Sequence, residues 1–155
     1  METQRDMFAR FAPMLRDMSD EQLADEIETP RRLLLRSEMA GPRRIDIAYA
    51  PFDDANPQAR IVLVGLTPGR QQMGNALREA RRGLLAGFSE AEALAAAESF
   101  ASFSGPMRTY LVAMLDSIGV NRLLGVSSTS TLWDGDTSLV HFTSVCRHPV
   151  FVDGK

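Results

Sequence analysis

The stretch IVLVGLTPGRQQ, Ile61 to Gln72, decides how the rest of the chain is read. Four apolar residues run into Gly65, and Thr67-Pro68-Gly69 then opens into Arg70-Gln71-Gln72. A short β-branched run bounded by turn residues predicts a strand over residues 60–65, apolar on both faces like a buried parallel strand. In open α/β sheets, ligands sit at the carboxyl ends of strands. The turn after Gly65 is therefore the first place to look for a site.

Downstream, Met73, Ala76, Leu77, Ala80 and Leu84 share one stripe and predict a helix from about 70 to 83. Ser89 with Glu92 starts another, running through an alanine-rich stretch to about 102. Pro106 and Gly119 bracket a third, with Leu111, Met114, Leu115 and Ile118 expected inward. A helical turn is expected around Ser130 to Trp133. Asp134-Gly135-Asp136 then turns the chain into SLVHFTSV, residues 138–145, a second buried strand.

Upstream, residues 4–16 read as a helix with Met7, Phe8, Phe11 and Leu15 inward, interrupted near Pro13. Ser19 and Gln22 form a capping box for a helix over about 20–28. After Thr29-Pro30 a further helical stretch is expected through RRLLLRSEM to Gly41-Pro42. IDIAYAPFDD reads as a short strand or extended arm. The fold class is α/β: residues 1–44 form a helical part, packed on a parallel sheet built by residues 45–155 with a right-handed crossover. Two confident strands are few for such a sheet, so the single domain is expected to be incomplete, one part of a larger unit or a truncated member of its family.

Bulk properties narrow the function. The chain has 155 residues, 45% apolar and 24% charged, which suits one globular domain. No apolar run approaches the ~20 residues of a membrane span, and the charged N-terminus lacks a signal core. No membrane partner and a bacterial-type cytoplasm are expected. One cysteine, Cys146, and two histidines, His141 and His148, leave no basis for a disulfide, an iron–sulfur cluster or a Cys/His zinc site; neither metal nor cofactor is expected. The net charge of −3 gives no support to tight nonspecific DNA binding. Arg70, Arg78, Arg81 and Arg82, gathered behind the turn, leave a local basic face open.

The turn Gly65-Leu66-Thr67-Pro68-Gly69 is neither a Walker A loop nor a GxGxxG fingerprint. Its glycines let the backbone turn sharply, and the following helix offers free N–H groups to an anion or polarised oxygen. The plain alternative is a strand-to-helix connection in which Thr67 caps the helix.

Strand, then Gly-x-x-Pro-Gly, then helix resembles the water-activating motif of the uracil-DNA glycosylase superfamily, written in its branches as Gly-Gln-Asp-Pro-Tyr, Gly-Glu-Ala-Pro-Gly or Gly-x-Asn-Pro-Gly. YAPFDDANPQARIVLVGLTPGRQQ is similar to a bacterial uracil-DNA glycosylase-like group. LVHFTSVCRHP resembles the strand whose Asn reads the uracil edge in that superfamily. Over residues 45–150 this resemblance implies a three-layer α/β fold with a central parallel sheet, and binding or hydrolysis at the N-glycosidic bond of a base in nucleic acid, as in DNA repair. DNA or a nucleotide is the implied partner. Thr67 stands where the superfamily has a catalytic Asp or Asn, and Ser144 where it has the base-reading Asn. A threonine hydroxyl orients water but is no base near neutral pH. Ser144 offers one hydroxyl in place of an amide's paired donor and acceptor. The late His-Pro-Ser motif has no counterpart; His148-Pro149 lies too close to the strand to be equated with it.

The implied site comprises Thr67, with Gln71 and Gln72 as candidates to hold water, and Gly65, Leu66, Pro68, Gly69, Arg70, Phe52 and Ser144 as ligand contacts. Arg70 is a candidate for a phosphate and Phe52 for stacking on a base; the rival readings are a solvated arginine and a buried loop anchor. Arg147 and His148 could line the same cleft. Phe100, Phe103 and Trp133 are read as packing residues. Two other functions stay open: a noncatalytic nucleotide- or nucleic-acid-binding module, and a small-metabolite hydrolase using the helix terminus.

Overall fold

A computed structural model describes residues 4–155. The first helix, α1 (Gln4–Asp17), runs through Pro13 without the expected interruption. Pro13 lies on the exposed face, while Phe8, Phe11 and Leu15 are buried on the other, so packing outweighs the lost hydrogen bond. Ser19 and Gln22 close a reciprocal capping box on α2 (Asp20–Glu28). Buried Glu26 accepts the main-chain N–H groups of Arg31, Arg32 and Leu33, fixing the exit from this helix.

The helix expected through RRLLLRSEM is a strand. β1 (Leu34–Ala40) pairs antiparallel with β2 (Arg43–Ala48) across the two-residue loop Gly41-Pro42. Gly41 takes a φ of +63°, at the position where type II′ hairpin turns use glycine. The local helix propensity of Leu, Arg, Glu and Met is overridden by pairing with a partner carrying Ile45 and Ile47. β2 also pairs antiparallel with β5 (Val150–Val152), giving the order β1-β2-β5. The N-terminal part is therefore two helices plus a hairpin, rather than helical throughout.

β3 (Ile61–Gly65) pairs in parallel with β4 (Val140–Ser144), in register from Ile61↔Val140 to Gly65↔Ser144. The connection runs through α3 (Arg70–Leu85), α4 (Glu90–Ala101), α5 (Pro106–Ser117) and α6 (Val120–Leu124), then 3-10 turns at Thr129–Leu132 and Thr137–Leu139. The architecture is mixed α/β with two small sheets. Among the described residues β3 has no other strand partner. Its expected double-faced burial fails: Leu63 is buried, but Val62 and Val64 are 52% and 58% exposed.

One core joins α1, α2, α3 and α4 to Tyr49, Phe52 and Phe151. A second gathers Leu63, Val140, Phe142, Leu132 and Trp133, with Phe103, Leu111 and Leu115 against it. Of the residues expected inward on α5, Leu111 and Leu115 pack, whereas Met114 and Ile118 are exposed. A two-stranded sheet is too narrow to cover the whole apolar stripe of this helix. Phe100 is also exposed rather than core. Trp133 is buried and its Nε1 donates to Ser102 O at 2.8 Å. No helix among the described residues is long and apolar enough to cross a membrane.

Candidate functional site

The carboxyl ends of β3 and β4 open into a cleft of about 140 Å³ between the two cores. Gly65 and Ser144 face each other at its base. Beyond them, Val145 N–H donates to Gly65 O and Cys146 N–H to Leu66 O, both at 2.9 Å, so the pairing carries past the strands into the turn. The free thiol of Cys146 is exposed.

Seven of the ten residues of the implied site line this cleft: Phe52, Gly65, Leu66, Thr67, Pro68, Gln72 and Ser144; Arg147, also expected there, joins them, and His148 does not. Thr67 does not cap α3. Its hydroxyl donates to His148 O at 3.2 Å, tying the β3–α3 turn to the segment after β4. The N-cap is Gly69, which has no side chain to bond the free N–H groups. Phe52 both lines the cleft and packs in the first core, so the stacking and anchoring readings meet in one ring.

The other three lie outside the cleft lining. Gly69 faces open space where a Cβ would be. Gln71 is exposed, with its amide against Gly105 at the start of α5. Arg70 turns the other way: its guanidinium donates to Ile27 O, Glu28 O and Gly154 O and lies 4.3 Å over the Phe151 ring. Its donors serve the fold. Of the other arginines behind the turn, Arg81 pairs with Asp20 and Arg82 with Glu79.

Behind the cleft lies a polar cluster that the sequence reading missed. Tyr49, stacked 4.1 Å from Phe11, donates its hydroxyl to Asp53 Oδ2 at 2.9 Å. Burial raises the Asp53 carboxyl to about 6, against the opposing effects of the Tyr49 hydrogen bond and the Arg147 charge. Burial and the Asp53 charge hold the Tyr49 phenol well above its usual range. Glu98 is 5% exposed and accepts Asp54 N–H at 2.9 Å. Burial, reinforced by Asp54, raises it to about 9, so it is a neutral acid at pH 7. His148 Nε2 stands 3.8 Å from Asp53 Oδ1, too far for a hydrogen bond. Burial and Arg147 hold the imidazole below its ordinary value, so this contact is not an ion pair at neutral pH.

These groups clamp the loop that presents Phe52: Glu98 holds Asp54 from α4, and Tyr49 holds Asp53. A signal existed. Glu98 is a lone acid on the stripe of Leu94, Ala97 and Ala101, and Asp53 directly follows an apolar run. The cleft also takes in Ser102, Phe103, Met107, Phe142, Thr143 and Arg147. Among the described residues, no group of three or more His, Cys, Asp or Glu side chains is placed to hold a metal ion.

No family model matches this chain. Over 133 residues, 85% of its length, it is 33% identical to a Bacillus subtilis (strain 168) protein described as uncharacterized protein YoxB. The match covers 50% of that protein, so the chain spans about half the length of this relative. No solved structure matches.

Proposed function

We propose that this chain binds a nucleobase, carried by DNA or by a nucleotide, in the cleft at the ends of β3 and β4, on a uracil-DNA glycosylase-like α/β scaffold. One observation carries the reading: the Gly65–Pro68 turn, Phe52 and Ser144, far apart in sequence, converge on one small cleft. A planar base fits its chemistry. Phe52 offers a ring to stack on, and Ser144 and Gln72 offer a hydroxyl and an amide to polar edges.

Hydrolysis of the N-glycosidic bond is the activity we assign to this site. Water adds to the anomeric carbon as the C–N bond breaks with its electron pair leaving on the base, and the proton released by the added water neutralises the base anion. The Thr67 hydroxyl proton is engaged by His148 O, which leaves its oxygen free to accept from that water, with the Gln72 amide beside it. Thr67 orients the water and does not deprotonate it.

A second reading, binding without turnover, is favoured by a specific observation: among the described residues, no carboxylate lines the cleft. Abasic-site formation on oligonucleotides carrying uracil, hypoxanthine or modified bases separates the two. Abasic product that is lost in Thr67→Ala supports the hydrolase. Retardation of the oligonucleotide without product supports the binding module. Neither product nor retardation removes nucleic acid from the account.

A further inference from the structure

Among the described residues, Arg147 is the one charged residue lining the cleft, and it makes no hydrogen bond and no ion pair with any of them. Every other cleft-lining polar side chain is neutral: Thr67, Gln72, Ser102, Thr143 and Ser144. The contrast with Arg70 and Arg108 is informative. Arg70 spends its donors on three carbonyls, and Arg108 on Phe100 O and Ser102 O. Arg147 is half-buried beside the polar cluster, and its charge is felt by Asp53, Glu98, His141 and His148. Asp53 is a Coulombic neighbour without a hydrogen bond to it, and Asp53 Oδ2 is already taken by Tyr49. The guanidinium thus keeps five donors in a planar fork, the geometry that matches phosphate oxygens.

We infer that Arg147 binds a phosphate on the sugar that carries the base seated in the cleft, so the ligand is a nucleotide rather than a free base or nucleoside. This rests on the nucleobase reading above. The phosphate belongs either to a mononucleotide or to a polynucleotide backbone. In both cases Arg147 meets it, and the cleft discriminates by charge beside the base as well as by the base itself.

The test compares binding of 2′-deoxyuridine 5′-monophosphate, 2′-deoxyuridine and uracil by calorimetry to the wild-type chain, Arg147→Gln and Arg147→Lys, each with a matched thermal melt. The inference predicts that wild type prefers the monophosphate to the nucleoside by at least about tenfold, as a charge-assisted phosphate contact gives. The preference falls close to one in Arg147→Gln and is partly kept in Arg147→Lys. Equal binding of nucleotide and nucleoside to wild type, or an undiminished preference in Arg147→Gln, overturns the inference and leaves the nucleobase reading intact. Binding of none of the three probes, with no retardation of a single-stranded oligonucleotide, overturns the nucleobase reading and the inference together. Salt titration of the oligonucleotide complex identifies the source. Loss of one backbone contact lowers the slope by about 0.7 in Arg147→Gln, whereas a mononucleotide site leaves it unchanged.

Discussion

Gly65 and Ser144 face each other across the parallel pair, and a Cβ on Gly65 would stand 3.1 Å from Ser144 Oγ and 3.5 Å from Phe103 Cε1. The missing side chain is part of the cleft. Gly65→Ala is expected to keep the fold, with a stability change within about 1 kcal/mol, because the position is a strand end without positive φ. Base binding should weaken by about tenfold or more as the methyl fills the space beside Ser144. Unaltered binding, measured by calorimetry, would place the ligand elsewhere.

Phe52 has two duties, so alanine is the wrong probe: it opens a cavity in the first core. Phe52→Leu keeps most of the volume and removes the aromatic face. The variant should melt close to wild type and lose about tenfold in affinity for a base, the scale of one base–aromatic stack. Equal affinity would leave Phe52 as an anchor alone.

How much of this was legible beforehand differs by residue. The capping boxes at Ser19 and Ser89 follow local hydrogen-bond rules, and both form where the spacing predicts. The strand–turn–helix from Ile61 to Gln72 was equally local. The β1 hairpin was not, because its pairing partner lies elsewhere in the chain and RRLLLRSEM alone favours a helix. Val62, Val64, Met114 and Ile118 misled for a related reason: apolar character predicts burial only where a covering layer exists. At the candidate site, Thr67 and Ser144 were singled out through two motif resemblances, and both line the cleft. Asp53 and Glu98 escaped because a charged residue in sequence is read as surface until its neighbours are known, and Tyr49 because only its bond to Asp53 gives it a polar role.

Glu98 makes stability depend on pH. Its folded value of about 9 lies above the ordinary 4.5, so the native state holds a proton that the unfolded chain releases. That contribution is full below pH 4.5 and is lost as pH rises through 9. Glu98→Gln keeps an acceptor for Asp54 N–H and removes the titration. Its melting temperature relative to wild type should therefore climb by on the order of 10 °C from pH 5 to pH 8.5. A constant difference would mean that Glu98 is ionised in the fold.

Arg70 is assigned to the fold rather than to a ligand. Arg70→Gln removes charge-assisted bonds to Ile27 O, Glu28 O and Gly154 O, and the stack on Phe151. A loss of about 2–3 kcal/mol in urea unfolding is expected, with the salt dependence of oligonucleotide binding unchanged. A flatter salt dependence at wild-type stability would return Arg70 to the site.

The nucleobase reading is tested most directly by amide chemical shifts during titration with 2′-deoxyuridine 5′-monophosphate and with a uracil-bearing single-stranded oligonucleotide. The account predicts saturable shifts concentrated at Gly65, Leu66, Thr67, Gln72 and Ser144, with the helical face of α1 and α2 silent. Shifts confined to other surfaces, or none at saturating concentrations of either ligand, would contradict it.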